Sequence, residues 1–91
     1  MHLTKRFEDA FVFASHVHVG QLRKGTEIPY VAHLLSVTAL VLEQGGGEDE
    51  AIAALLHDAV EDRGVEVNDM RARFGDEVAR IVEACSDSFG A

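Results

Sequence analysis

The sequence predicts an all-α fold, a bundle of about five helices, and three observations predict it. Apolar residues recur at helical spacing, as in the stripe Phe7, Phe11, Ala14 and His18 at i, i+4, i+7 and i+11. Glycines stand in the gaps between such segments, at 20, 45–47 and 75, where they stop one helix before the next begins. The only proline, Pro29, lies at the end of a loop rather than inside a periodic stretch.

Taken in order, the first helix is expected from Thr4, a suitable N-cap, to about Val19. The loop "GQLRKGTEIP" follows and Pro29 closes it. The second helix spans about Tyr30 to Gln44, with Tyr30, His33, Val37, Leu40 and Val41 on one face, until "GGG" halts it. The third starts at Glu48–Asp49, acids well placed for the positive end of a helix dipole, and runs through Val60. A short fourth helix, Asn68 to Phe74, is expected to be capped by Asn68, and a fifth runs from Asp76 to about Cys85. No internal repeat, linker or low-complexity tract interrupts this pattern, so residues 1–91 read as one domain with a modest core.

Composition narrows the partners. At 47% hydrophobic and 26% charged the chain belongs with folded proteins. A net charge of −8 argues against nucleic acid or an anionic membrane surface as a partner, while leaving room for a local basic pocket. The single cysteine, Cys85, reads as a small core residue and fits a reducing compartment. The charged start "MHLTKRFEDAF" lacks a secretion signal's apolar run, and no stretch approaches the roughly 20 apolar residues of a membrane span. A cytoplasmic location is expected.

The stretch "AALLHDAVED", Ala53 to Asp62, concentrates four polar groups at the end of an apolar helix. At about 100° per residue, His57, Asp58, Glu61 and Asp62 fall within roughly 140° of one another. Ile52, Ala53, Leu55, Leu56, Ala59 and Val60 fill the opposite arc, and Ala51 and Ala54 leave space beside the acids. A solvated acidic edge would look like this. So would half of a metal site, because His57 and Asp58 offer a neutral nitrogen and an anionic oxygen side by side. His33, on the apolar face of the second helix, is either a core histidine or the other half. One cation held by His33, His57 and Asp58 accounts for all three.

"HDAVED" with an upstream histidine resembles the HD superfamily of metal-dependent phosphohydrolases. More narrowly, "FVFASHVHVGQLRKGTEIPYVAH", "AIAALLHDAVED" and "FGDEVARIVEACSD" are similar, in that order, to the hydrolase domain of RelA/SpoT-type alarmone enzymes and their small stand-alone relatives. The resemblance implies an HD-domain-like bundle that removes the 3′-pyrophosphate from guanosine tetra- and pentaphosphate, generally with manganese. It implies His33, His57 and Asp58 as metal ligands. It implies Glu61 and Asp62 as the acids that position or activate water, and Arg23 and Lys24 as residues that hold the nucleotide. On sequence alone "RKG" could equally be an ordinary solvated loop. His18 matches the family's first-helix histidine and reads as structural.

The match departs from the family pattern at Leu34, where proline is common, and at Arg63, where threonine is usual. The family's fourth ligand, an aspartate on a later helix, has no counterpart in this sequence, and Asp87 belongs to the "SD" match rather than to that motif. The expectation is therefore the N-terminal half of an HD domain, either an enzyme or a non-catalytic module that keeps the metal or nucleotide site. Loss of the later helices would bare apolar surface, which predicts a homo-oligomer.

Overall fold

The computed structural model describes residues 2–88, with side chains as far as Cys85. Five helices follow one another: α1 (Lys5–Val17), α2 (Val31–Glu43), α3 (Glu48–Arg63), α4 (Val67–Phe74) and α5 (Asp76–Ser88). The central element is α3. Helices α1, α2 and α5 all pack on it, and α4 packs on α5.

This placement explains why α3 is apolar on most sides. Ala51, Ile52, Ala53, Leu55, Leu56 and Ala59 are all buried, because three neighbours cover three faces. Ala51, expected beside the acids, is fully buried instead. Burying Ile52, Leu55 and Leu56 contributes roughly 1.5–3 kcal/mol apiece before entropy is set against it. Ala10 and Ala14 of α1, Leu34 of α2, Met70 and Phe74 of α4, and Val78 and Val82 of α5 complete the core. The expected α1 stripe is observed: Ala14 and His18 are buried, and Phe7 and Phe11 pack on the core's edge.

Local signals set the helix ends. Thr4 caps α1 by accepting the Arg6 N–H at 3.2 Å, as its sequence position predicts. Its hydroxyl also donates to Glu48 at 2.8 Å, joining the starts of α1 and α3. At the end of α2, Gly46 N–H bonds the Val41 carbonyl at 2.9 Å and Gly45 N–H bonds that of Leu42 at 3.1 Å. Together they form a Schellman motif. Gly45 supplies its left-handed residue at φ 92°, and a Cβ on Gly46 would stand 2.7 Å from Val41 Cγ1. This turn sends α3 back along α2, so the first residues of α2 meet the last residues of α3.

Three expectations are corrected. Helix α3 continues past Val60 to Arg63, because nothing breaks it before Gly64, whose φ of 70° ends it; the apolar pattern stops earlier than the helix does. Helix α4 starts at Val67 with Glu66 at its N-cap; Asn68 lies inside the helix and accepts from Arg71 at 2.7 Å. In α2, Leu34 and Thr38 are buried, whereas Leu40 is 57% exposed and His33, Val37 and Val41 are half-buried. Residues 31–42 carry no Asp, Glu, Lys or Arg. Hydropathy therefore does not choose a face, and contact with α3 does.

Candidate metal centre

Tyr30 caps the start of α2 and His33 lies in its first turn, while His57, Asp58, Glu61 and Asp62 occupy the last turns of α3. The glycine turn described above brings the two groups together. His33 Nε2 lies 3.6 Å from Asp58 Oδ2, and His57 Nδ1 lies 3.3 Å from Asp58 Oδ1. His57 Nε2 is 3.4 Å from Glu61 Oε1, one turn on. Among the described residues, His57, Asp58 and Glu61 form the group whose donor atoms all fall within 4.8 Å. His33 lies outside this group and meets it at Asp58. Asp62 is exposed, one turn beyond Asp58.

The spacings carry a chemical meaning. They exceed the usual N–H···O range of about 2.7–3.2 Å. Around an ion with bonds of about 2.0–2.2 Å, adjacent donors stand roughly 3.0–3.6 Å apart. His57 reaches Asp58 and Glu61 through opposite ring nitrogens, so these two spacings do not belong to one ion. One imidazole with two carboxylates, each offering one donor atom, is the nitrogen-and-oxygen set that suits a divalent cation of the first transition row.

Sequence reasoning missed Tyr30, which it assigned to an apolar face. The phenol donates to Asp58 Oδ2 at 2.8 Å. Burial pushes the Tyr30 hydroxyl well above the ordinary tyrosine range, and the bond to Asp58 and the charges of Asp58 and Asp62 push the same way. It stays protonated and donating. Its ring lies between His18, 4.9 Å between centroids, and His33, 5.4 Å. His18 in turn pairs its Nδ1 with Gln21 Oε1 at 2.8 Å and is buried. The one available signal was spacing: Tyr30 stands three residues before His33, on the same side of the helix.

Arg23 and Lys24 sit on a hairpin. Arg23 N–H bonds the Ile28 carbonyl at 2.9 Å, Tyr30 N–H bonds that of Gln21 at 2.8 Å, and Thr26 N–H closes on Arg23 at 2.9 Å. Gly25, at φ 78°, takes the third position of that last turn, where a side chain would be strained. The hairpin holds both cations over an open cleft of about 430 Å³, walled by Arg23, Lys24, Thr26, Tyr30 and His33. On the other side of His33 lies a second cleft of about 480 Å³, bounded by His57, Asp58 and the apolar Val37, Val41, Ala54 and Ile81. Cys85 also lines it, half-buried, rather than filling the core as expected. The side chain of Asp87 lies outside the described residues.

A family model described as an HD domain matches residues 10–89. The chain belongs to the HD domain family. Among the relatives of this HD domain, a probable guanosine-3′,5′-bis(diphosphate) 3′-pyrophosphohydrolase of Synechocystis is 43% identical over 74 residues, covering 81% of this chain and 10% of the relative. The bifunctional (p)ppGpp synthase/hydrolase SpoT of Escherichia coli is 38% identical, over 90% of this chain and 12% of its own length. The Xenopus tropicalis pyrophosphohydrolase MESH1 is 40% identical, over 87% of this chain and 46% of its own. A solved structure described as a metazoan ortholog of SpoT that hydrolyzes ppGpp superposes with a TM-score of 0.83 at 31% identity. That match covers 91% of this chain and 48% of the other, so the HD domain spans from about a tenth to about half of these proteins. No described helix is long and apolar enough to cross a membrane.

Proposed function

We propose that this HD domain is a divalent-metal phosphohydrolase that removes the 3′-pyrophosphate of guanosine 3′,5′-bis(diphosphate), with manganese as its ion. The observation that carries the reading is the position of His33, which faces Asp58 on one side and walls the basic cleft on the other. An anionic phosphate seated in that cleft lies beside the donor cluster. The names of several relatives, guanosine-3′,5′-bis(diphosphate) 3′-pyrophosphohydrolases, support the choice of substrate, and two others are named GTP pyrophosphokinases.

In this reading His33, His57 and Asp58 hold the ion. Bound there, it supplies Lewis acidity toward a phosphoryl oxygen and lowers the pKa of water. Glu61 accepts the proton of the attacking water, and Asp62 orients that water or the residues around it. Arg23 presents a planar fork to the phosphates and Lys24 a point charge. The test is release of pyrophosphate from guanosine tetraphosphate with added Mn2+. Turnover that disappears in the His57→Ala/Asp58→Ala variant is the expected result; turnover no higher than in that variant removes the enzymatic reading.

One observation favours a second reading, binding without turnover. Glu61 lies within the compact donor group with His57 and Asp58. A carboxylate engaged as a ligand is not available as a base. Metal or nucleotide binding with no pyrophosphate release would select this reading. We also propose self-association through α2, which leaves Leu35 46% and Leu40 57% exposed on a helix without charge through residue 42. Size-exclusion chromatography with light scattering reads it directly, and a monomer at all concentrations rejects it.

A further inference from the structure

The metal-site reading leaves open what fixes the orientation of Asp58. A carboxylate's last torsion is soft and roughly two-fold, so a lone aspartate does not aim its oxygens by itself. Here the two oxygens are distinguished: Oδ1 faces His57 Nδ1 at 3.3 Å, while Oδ2 faces His33 at 3.6 Å and accepts from Tyr30 at 2.8 Å. An ionised carboxylate only accepts hydrogen bonds, so a donor is the one kind of neutral group that can hold it in place.

We infer that Tyr30 is a positioning residue that sets the orientation of Asp58 for metal binding and ties that orientation to the loop carrying Arg23 and Lys24. The phenol suits the task because every part of it is held. Its backbone N–H bonds Gln21, at the base of the hairpin, at 2.8 Å. Its ring lies between His18 and His33, and His18 is anchored to the same Gln21 through its side chain. Gln21 thus fixes Tyr30 from the loop side and the Tyr30 hydroxyl fixes Asp58 from the α3 side. The same ring walls the basic cleft. A shift of the hairpin therefore reaches the metal ligand through one rigid side chain with two torsions, and seating an anion on Arg23 and Lys24 steadies Asp58.

This inference rests on the metal-site reading, and the experiment separates the two. Binding of Mn2+ to the metal-free protein is measured from the electron paramagnetic resonance signal of the free ion, for the wild type, Tyr30→Phe and His57→Ala. Tyr30→Phe keeps the ring and deletes only the hydroxyl. Loss of such an outer partner weakens metal binding by roughly 10- to 100-fold, and that weakening is expected in Tyr30→Phe while the metal-free variant remains folded at the assay temperature, as its thermal transition shows. Equal affinity in the wild type and Tyr30→Phe overturns the positioning role. Binding absent from the wild type, or equal in the wild type and His57→Ala, overturns the metal site itself. Tyr30→Met, which fills the space without a hydroxyl, gives the same readout should the phenylalanine variant fold poorly. The link to the loop has its own readout: inorganic sulfate, an anion that complexes free Mn2+ only weakly, should tighten Mn2+ binding in the wild type more than in Tyr30→Phe, and an equal gain in both removes the link.

Discussion

Asp62 stands in the last turn of α3, where the negative end of the helix dipole repels a carboxylate. It also follows Asp58 by four residues, the spacing at which like charges on a helix oppose each other. Replacing it by asparagine removes both penalties and keeps the shape. The dipole accounts for about 0.3–1 kcal/mol and the repulsion for about 0.2–0.5 kcal/mol, so Asp62→Asn should stabilise the metal-free protein by about 0.5–1.5 kcal/mol. At about 2.1 cal/mol/K per residue, a chain of 91 residues has an unfolding entropy near 190 cal/mol/K. The gain is then a rise in melting temperature of about 3–8 °C. The assay is thermal unfolding in a chelator at low salt, repeated with Mn2+. The variant should melt higher than the wild type in chelator and should gain less from the ion, and added salt should shrink the first difference. A variant that melts at or below the wild type in chelator refutes the argument that these acids are held against the stability of the fold.

Saturating Mn2+ at about 100 times its dissociation constant should stabilise the wild type by about 2.7 kcal/mol, roughly 14 °C in melting temperature. Chelation, or His57→Ala/Asp58→Ala, should abolish that shift. Leu56→Ala empties a fully buried site at the middle of α3 and should cost about 2–5 kcal/mol, read by denaturant unfolding with an unchanged slope. Gly46→Ala drives a Cβ to within 2.9 Å of the Val41 carbonyl oxygen and should cost about 1–3 kcal/mol in the same assay. Tyr30 is the single tyrosine and there is no tryptophan, so absorbance at 295 nm follows its ionisation alone. Its pKa is raised in the folded state, so the folded protein should show little phenolate just above pH 10 while the unfolded chain ionises. The matching stability is complete below about pH 10 and is lost as pH climbs toward the folded value, a loss that Tyr30→Phe should remove.

The helices, their order and most of their ends were legible in the sequence because those features are local. Thr4 carries its own cap, Gly45 and Gly46 their own turn, and the stripe from Phe7 to His18 its own face. Gly64, not the end of the apolar pattern at Val60, terminates α3, and Glu61 and Asp62 continue the helix beyond that pattern.

The polar end of α3 was equally visible, since a single helix keeps His57, Asp58 and Glu61 together whatever surrounds it. Its tertiary partners were not. Apart from His33, residues 31–42 hold no acidic or basic side chain, so hydropathy within α2 does not distinguish the face of Leu34 and Thr38 from that of Val37 and Leu40. Only packing on α3 sets that rotation. The same rotation turns His33 toward Asp58 and lays the Tyr30 hydroxyl against it. Periodicity along one chain segment determines which residues share a helix face. Which face meets which depends on how three helices divide the surface of a fourth, and that is decided when the bundle closes.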